Sequence, residues 1–386
     1  MASNELPAEL IEAIVGHLPV GPGRVPIATL TACAAAASVF RGPAQRRLFT
    51  RLVLRSATIE ARAVHLYADA ARLFEEAPHL AGYVQAVKLQ LPDAENAGWA
   101  EERGKAEAVL HLLDGVKRVE VHSGRWAGYS PAALEVFLDI FRGLERLELR
   151  GIGGLTPRLF HRVLIAATAL VLDGVARGDK QEEDQIAPIG LETLDVSNCP
   201  TIYHLLPDPE DAPQALHDVT LAPVRSDDEL GVWFAFCSQS VEKLSIEFYY
   251  THFSEMVALP SFPYLTTLRL EDVPLSDTDT HPPALLAALL QYYTTPLLTS
   301  LHITFQFEAH DLPLSPEQWA ELDAAIAEHP MAVADSLDVE CVIPYFDGHT
   351  EACKDAFARV MPRATEAAVL EVSARMGAAE LELEFY

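Results

Sequence analysis

Positive charge is scarce in this sequence. Its 28 lysines and arginines stand against 56 aspartates and glutamates, leaving a formal net charge of −28 at pH 7. Such a surface repels phosphate backbones and anionic headgroups, which argues against nucleic acid and membrane as partners. The acidity either serves solubility or attracts a basic partner. Cysteine is sparse as well. The five, at positions 33, 199, 237, 341 and 353, are odd in number and widely scattered, with no C-x-x-C pair. That is the usage expected of reduced thiols in the cytosol or nucleus. Long apolar runs are missing: the longest candidate, Leu164 to Leu172, is stopped by Asp173, short of the ~18 residues that span a bilayer. The start, Met1-Ala2-Ser3-Asn4-Glu5, lacks the basic and apolar regions of a secretory signal. With half its residues hydrophobic and 22% charged, the chain is not expected to be disordered.

Signatures of catalysis are also missing. There is no G-x-S-x-G elbow, P-loop, H-E-x-x-H or kinase set. Gly151-Ile152-Gly153-Gly154 lacks the third glycine of a dinucleotide turn and reads as a loop between repeats. His349 and Cys353 stand four apart at an expected helix start, but no second pair of ligands lies near them. Asp277-Thr278-Asp279-Thr280 lacks the glycine and the closing glutamate of a calcium loop. No catalytic, cofactor or metal residue is assigned, and the chain reads as a binding protein and not an enzyme. An unrecognised active site would need a buried cluster of perturbed carboxylates or histidines.

What the sequence does have is a cadence. Leu191-Glu192-Thr193-Leu194-Asp195-Val196-Ser197-Asn198-Cys199 reads L-x-x-L-x-L-x-x-N/C, the strand half of a leucine-rich repeat. Alternation sends Leu194 and Val196 to one strand face and Thr193, Asp195 and Ser197 to the other. Similar pairs occur at Leu147/Leu149, Leu170/Leu172, Val219/Leu221, Leu244/Ile246 and Leu268/Leu270; successive pairs lie 23, 24, 25, 25 and 24 residues apart. Looser copies extend both ways, at Leu52/Leu54, Val87/Leu89, Val119/Val121, Leu301/Ile303, Leu337/Val339 and Leu381/Leu383. The outer spacings leave room for a full helix in each unit. Helices are expected at 59–76, 100–114, 130–142, 156–168, 226–238, 282–293, 315–329, 350–360 and 363–376. Thr156-Pro157 and Ser315-Pro316 carry start signals, and Ser226 with Glu229 fits a capping box. The position of Cys199 is held by Ile152, Val224, Tyr249 and Val273 in other repeats, so a continuous asparagine ladder is missing. The expected fold over 51–386 is therefore α/β: an irregular leucine-rich-repeat solenoid, a parallel β-sheet horseshoe with outer helices.

Residues 1–50 break the cadence. Leu6, Leu10, Ile11, Ile14, Val15 and Leu18 recur at helical spacing as one apolar stripe. Second and third helices are expected over Ile27 to Val39 and Ala44 to Phe49, with Gly42-Pro43 as punctuation between them. This small three-helix segment resembles an F-box of the kind found in fungal F-box/leucine-rich-repeat proteins. The likeness lies in Leu6-Pro7-Ala8-Glu9-Leu10 with Ile14 and Leu18-Pro19, then Ala32-Cys33 with Ser38, and Pro43-Ala44-Gln45-Arg46-Arg47-Leu48-Phe49 running into Leu52-Val53-Leu54. It covers about 50 of the 386 residues; the tryptophan often found before the third helix is absent, with Phe40 nearest. The resemblance implies a substrate-recognition subunit of an SCF-type cullin-RING ubiquitin ligase. Leu6, Pro7, Leu10, Ile14 and Leu18 would dock on the Skp adaptor, which joins the cullin scaffold, by laying a helix stripe into an apolar groove. The other reading makes these helices an end cap over a leucine-rich scaffold.

In either case the candidate partner-binding surface is the inward sheet face. On it the alternation places Arg146 and Glu148, Thr193 and Asp195, Lys243 and Ser245, Arg269 and His302, with Lys88, Glu120 and others beside them. By resemblance this face holds an unknown target protein. Among Phe248, Tyr249, Tyr250, Phe305 and Phe307, half must face the core, and adjacent strands can bring the exposed ones together as a binding anchor.

Overall fold

The computed structural model describes residues 7–18, 24–55, 65–91, 98–123, 137–140, 142–178, 189–248, 260–275, 282–291, 294–307, 316–333, 337–343, 355, 358–366 and 370–374. The chain forms two compact units, Met1–Glu182 and Glu183–Tyr386. Each is α/β, with parallel strands and helices in the connections.

The first unit opens with three helices, α1 (Ala8–Gly16), α2 (Arg24–Ala36) and α3 (Ser38–Phe49). Ile11 and Val15, one turn apart, are both buried. Val15 meets Leu30 and Ala44, with Leu18, Cys33, Phe40 and Leu48 packed around them. Arg47 of α3 donates to the carbonyls of Gly16 and Leu18, capping the last turn of α1. The expected break at Gly42-Pro43 is not there: α3 runs through Pro43.

The chain then enters β1 (Arg51–Arg55), β2 (His65–Leu66), α4 (Tyr67–Glu76), β3 (Ala86–Leu91), α5 (Gly98–Leu110), β4 (Arg118–Ser123), β5 (Leu144–Arg150), α6 (Pro157–Ala166) and β6 (Ala167–Asp173). The strand order is β2-β1-β3-β4-β5-β6, and each described pairing is parallel. The register aligns the apolar pairs: Leu52 meets Val87, Val87 meets Val119, Val119 meets Leu147, and Leu147 meets Leu170. All are 2% exposed or less. The connections cover them with Tyr67 and Phe74 from α4, Val109 and Leu110 from α5, and Phe160 and Val163 from α6.

The second unit contains β7 (Thr193–Ser197), β8 (Asp218–Val224), α7 (Asp227–Cys237), β9 (Lys243–Phe248), β10 (Thr267–Leu275), α8 (Pro282–Leu289), β11 (Ser300–Phe307), α9 (Pro316–Glu328), α10 (Pro330–Val333), β12 (Asp338–Ile343), α11 (Pro362–Glu366) and β13 (Leu370–Ala374). Its strands run in sequence order from β7 to β13, again all parallel. Trp233 and Phe234 of α7 and Trp319 and Leu322 of α9 are 1% exposed or less. Consecutive parallel neighbours follow from short repeats in which each strand must cover its apolar side with the next.

At four strands a left-handed residue explains the spacing after the apolar pair; in β10 it stands inside the strand, at a register irregularity. Gly151, Gly174, Asn198 and Asp272 stand two places after the pairs ending at Leu149, Leu172, Val196 and Leu270, and all have positive φ, between 54° and 63°. The next residue, Ile152, Val175, Cys199 or Val273, is buried. A left-handed residue swings the chain so that its follower points back into the core, and Gly, Asn and Asp are the types that tolerate it.

Several expectations need correction. In β12 the residues aligned with Leu301 and Ile303 are Val339 and Cys341, not Leu337 and Val339; a shift of two keeps the same face. Residues 363–376 are not one helix but α11 followed by β13, whose Leu370 and Val372 continue the ladder. Their period-two alternation outweighs the helix propensity of the neighbouring alanines and glutamates. In β9 the residue aligned with Val224 is Phe248, not Tyr249. The strand expected at Leu381/Leu383 and most of the helices at 130–142 and 350–360 lie outside the described residues.

Candidate functional site

Parallel register stacks the residues beside each apolar pair into rows across the sheet. In the first unit one row runs Arg51, Ala86, Arg118, Arg146, Ala169. The next runs Val53, Lys88, Glu120, Glu148, Val171, and a third Arg55, Gln90, His122, Arg150, Asp173. The alternation that buries the leucines puts all three rows on the opposite face. Six cations there face three carboxylates, inverting the balance of the chain as a whole.

The carboxylates are heavily engaged. Glu120 accepts from Lys88 Nζ and Arg51 Nη2, each at 2.8 Å, and from His122 Nε2. Burial alone raises its pKa, but the hydrogen bonds from Lys88 and His122 and their charges outweigh that and hold it at about 2. His122 is pushed below its usual value by burial and by the Lys88 charge, so it is neutral at pH 7 and donates through Nε2. Glu148 accepts from Arg146 Nε at 2.8 Å and Arg150 Nη2 at 3.1 Å. Burial opposes its ionisation, yet the two arginines hold its pKa below the usual carboxylate value. Arg118 differs: its side chain is exposed and makes no hydrogen bond or ion pair among the described residues, its charge acting only at longer range on Glu145. Arg51, Arg118 and Arg146 line an open depression of about 520 Å³ together with Glu120, Glu145 and Glu148, each of which is hydrogen-bonded to a cation, and with Ala86 and Ala169.

The second unit has the same rows with the opposite charge. Thr193, Asp218, Lys243, Thr267, Ser300 and Asp338 form one. Asp195, Thr220, Ser245, Arg269, His302 and Glu340 form the next. Arg269 pairs with Glu271, and His302 Nδ1 lies 2.9 Å from Glu340 Oε2. Burial, together with the charges of Asp272 and Glu271, raises Glu247; burial and Glu271 raise Asp272.

All eight residues expected on the inward face lie on strand positions that alternate with the buried pairs. Arg146 and Glu148 belong to the first unit; Thr193, Asp195, Lys243, Ser245, Arg269 and His302 belong to the second. Of the aromatic group, Phe248 and Phe305 face the core. Phe248 is 3% exposed and Phe305 0%, Phe305 standing edge-on to Trp319 at 5.4 Å. The alternation that turns Glu247 outward turns Phe248 inward. Tyr249, Tyr250 and the side chain of Phe307 lie outside the described residues. Arg51, Arg118, His122 and Arg150 were missed by sequence reasoning; reading the residue immediately before every apolar pair finds the two unclaimed arginines of the first row.

In the helical segment the expected single stripe divides. Ile11 and Val15 go inward, Leu18 is half-buried, and Leu10 and Ile14 are 49% and 44% exposed. Pro7 is exposed at the N-cap of α1; Leu6 lies outside the described residues. Ile27 and Val39 are also exposed. Among the described residues no group of three or more His, Cys, Asp or Glu could hold a metal ion, and no helix is long and apolar enough to cross a membrane. Comparison with protein-family models and with curated proteins finds no match to this chain.

Proposed function

We propose that this chain is a target-recognition subunit of an SCF-type cullin-RING ubiquitin ligase, built as an irregular leucine-rich-repeat protein behind an F-box-like helical segment. The observation that carries the reading is the outward pair Leu10 and Ile14. They sit one turn apart on a helix whose interior is already supplied by Ile11 and Val15. An apolar stripe left outside a small bundle suits insertion into a partner's groove. In this reading Leu6, Pro7, Leu10, Ile14 and Leu18 hold the Skp adaptor, the adaptor holds the cullin scaffold, and the polar strand faces hold the target. The work done is proximity: a target lysine is kept near a charged conjugating enzyme, with no chemistry by this chain.

The test is co-purification of the tagged full chain from cells with the Skp adaptor and cullin. Wild type is expected to bring down both, and Leu10→Asp, on an exposed position, to lose both while remaining folded. No adaptor with wild type, or equal adaptor with Leu10→Asp, overturns the proposal.

A second reading, a repeat scaffold whose helices are an end cap, has its own support. Arg46 of α3 lies over the Tyr83 ring at 5.8 Å, tying the helices to the first repeat. It expects deletion of residues 1–50 to destabilise the first unit while target binding persists.

A further inference from the structure

We infer that the polar sheet face of the first unit is a binding site for an extended acidic peptide segment, with Arg118 as its free anchor. The proposal rests on the preceding reading only for the identity of that segment as a degradation target.

Register places Arg118 directly beside Arg146 on the neighbouring strand, and two strands from Arg51. Arginines side by side on strands about 4.8 Å apart repel one another; the Arg118 charge acts on Glu145, but no carboxylate among the described residues forms a hydrogen bond or ion pair with its guanidinium. Glu145 pairs with Lys117 at 2.6 Å, while Glu120 and Glu148 are taken by other cations. An incoming oxyanion therefore meets one unclaimed guanidinium and the open edges of two more, which present paired donors in the geometry a carboxylate or phosphate accepts.

The shape selects the ligand class. The arginine row from Arg51 to Arg146 crosses three strand spacings, roughly 14 Å, more than one small anion can bridge. Alanines at positions 86 and 169 leave the row hollow. A peptide with acidic groups at intervals fits both features. The chain's charge of −28 repels anions at long range, so binding must be local. The second unit sharpens the point, because its two equivalent rows and Glu247 and Glu271 beside them carry six carboxylates against two lysine or arginine cations.

The experiment is fluorescence anisotropy with the purified full chain and two labelled peptides, one alternating serine with glutamate and one with phosphoserine in the acidic positions. Wild type is expected to bind at low ionic strength and to weaken as salt rises. Arg118→Glu is expected to weaken binding at least about tenfold, with an unchanged melting curve; Lys105→Glu, exposed on α5 and away from the sheet face, is expected to leave it unchanged. Binding of both peptides assigns carboxylate-rich segments, and binding of the phosphorylated one alone assigns phosphate. No binding of either peptide, equal binding by Arg118→Glu, equal weakening by Lys105→Glu, or preference for phosphatidylserine vesicles overturns the proposal. Adaptor capture by the same preparation is scored separately, so failure of the site and failure of the ligase reading are distinguishable.

Discussion

Lys88 Nζ lies 2.8 Å from Glu120 Oε1, one strand away in the same register row. The two side chains are 21% and 18% exposed, so the pair is screened less than a surface salt bridge. It joins β3 to β4 on the face whose neighbouring row carries the arginines.

Glu120 ties part of the fold to pH. Its folded pKa, about 2, lies below the ordinary glutamate value of 4.5. The unfolded chain therefore binds the proton more readily, and the stabilisation is present above pH 4.5 and lost as pH falls towards 2. Glu120→Gln is expected to destabilise by on the order of 2 kcal/mol at pH 7, with the difference from wild type shrinking in acid. Urea titrations at pH 7 and in acid check this; a difference independent of pH contradicts it.

His329 acts in a higher pH range. It is 1% exposed, accepts from the Met331 N–H through Nδ1 at 3.3 Å and donates from Nε2 to the Thr295 carbonyl at 3.0 Å. Burial outweighs that carbonyl and lowers its pKa from 6.5. Neutral imidazole is the form that fits, so its contribution is present above pH 6.5 and lost as pH falls through the folded value. Thermal melts of wild type and His329→Gln are expected to converge as pH falls below neutrality.

Asp272 is held against its chemistry. It has φ 54°, and burial with the Glu271 charge raises its pKa. A raised carboxyl contributes below its unfolded value and loses that contribution as pH rises through the folded one. Asp272→Asn keeps a residue that tolerates the left-handed backbone and removes the charge. It is expected to raise the melting temperature near pH 7, with less effect in acid. Asp272→Val, which the backbone strains, is expected to lower it.

Phe305 and Trp319 pair edge to face between β11 and α9, and each is 0% exposed. Phe305→Ala is expected to destabilise the chain by about 3–5 kcal/mol, through lost burial and a cavity. Chemical denaturation measures it; a change under about 1 kcal/mol would mean that Phe305 is not in the core.

The repeat was legible because burial imposes period two on every strand. Within each unit the apolar pairs stand in register, Leu52 to Leu170 in the first and Leu194 to Leu301 in the second. Thr156 caps α6 by accepting from Leu159 N at 3.3 Å. Ser226 accepts from Glu229 N at 3.2 Å, while the Glu229 carboxylate returns to the Arg225 N–H at 3.0 Å. Such signals are local, so sequence carries them. The face chemistry was only half legible. Arg146 and Glu148 were named because the alternation around Leu147 was plain, but Arg118 gains meaning only beside Arg146, from a partner 28 residues away. The inward turn of Phe248 and Phe305 follows the same alternation, each two places after a buried isoleucine, Ile246 or Ile303. The split of the α1 stripe depends on where α3 lies, and that is tertiary.

The most direct measurement is calorimetric titration of the purified Skp adaptor into the full chain, wild type and Leu10→Asp side by side. The account expects one adaptor per chain for wild type and no measurable heat for Leu10→Asp, with both proteins melting alike. No binding by folded wild type, or the same affinity in both, contradicts it.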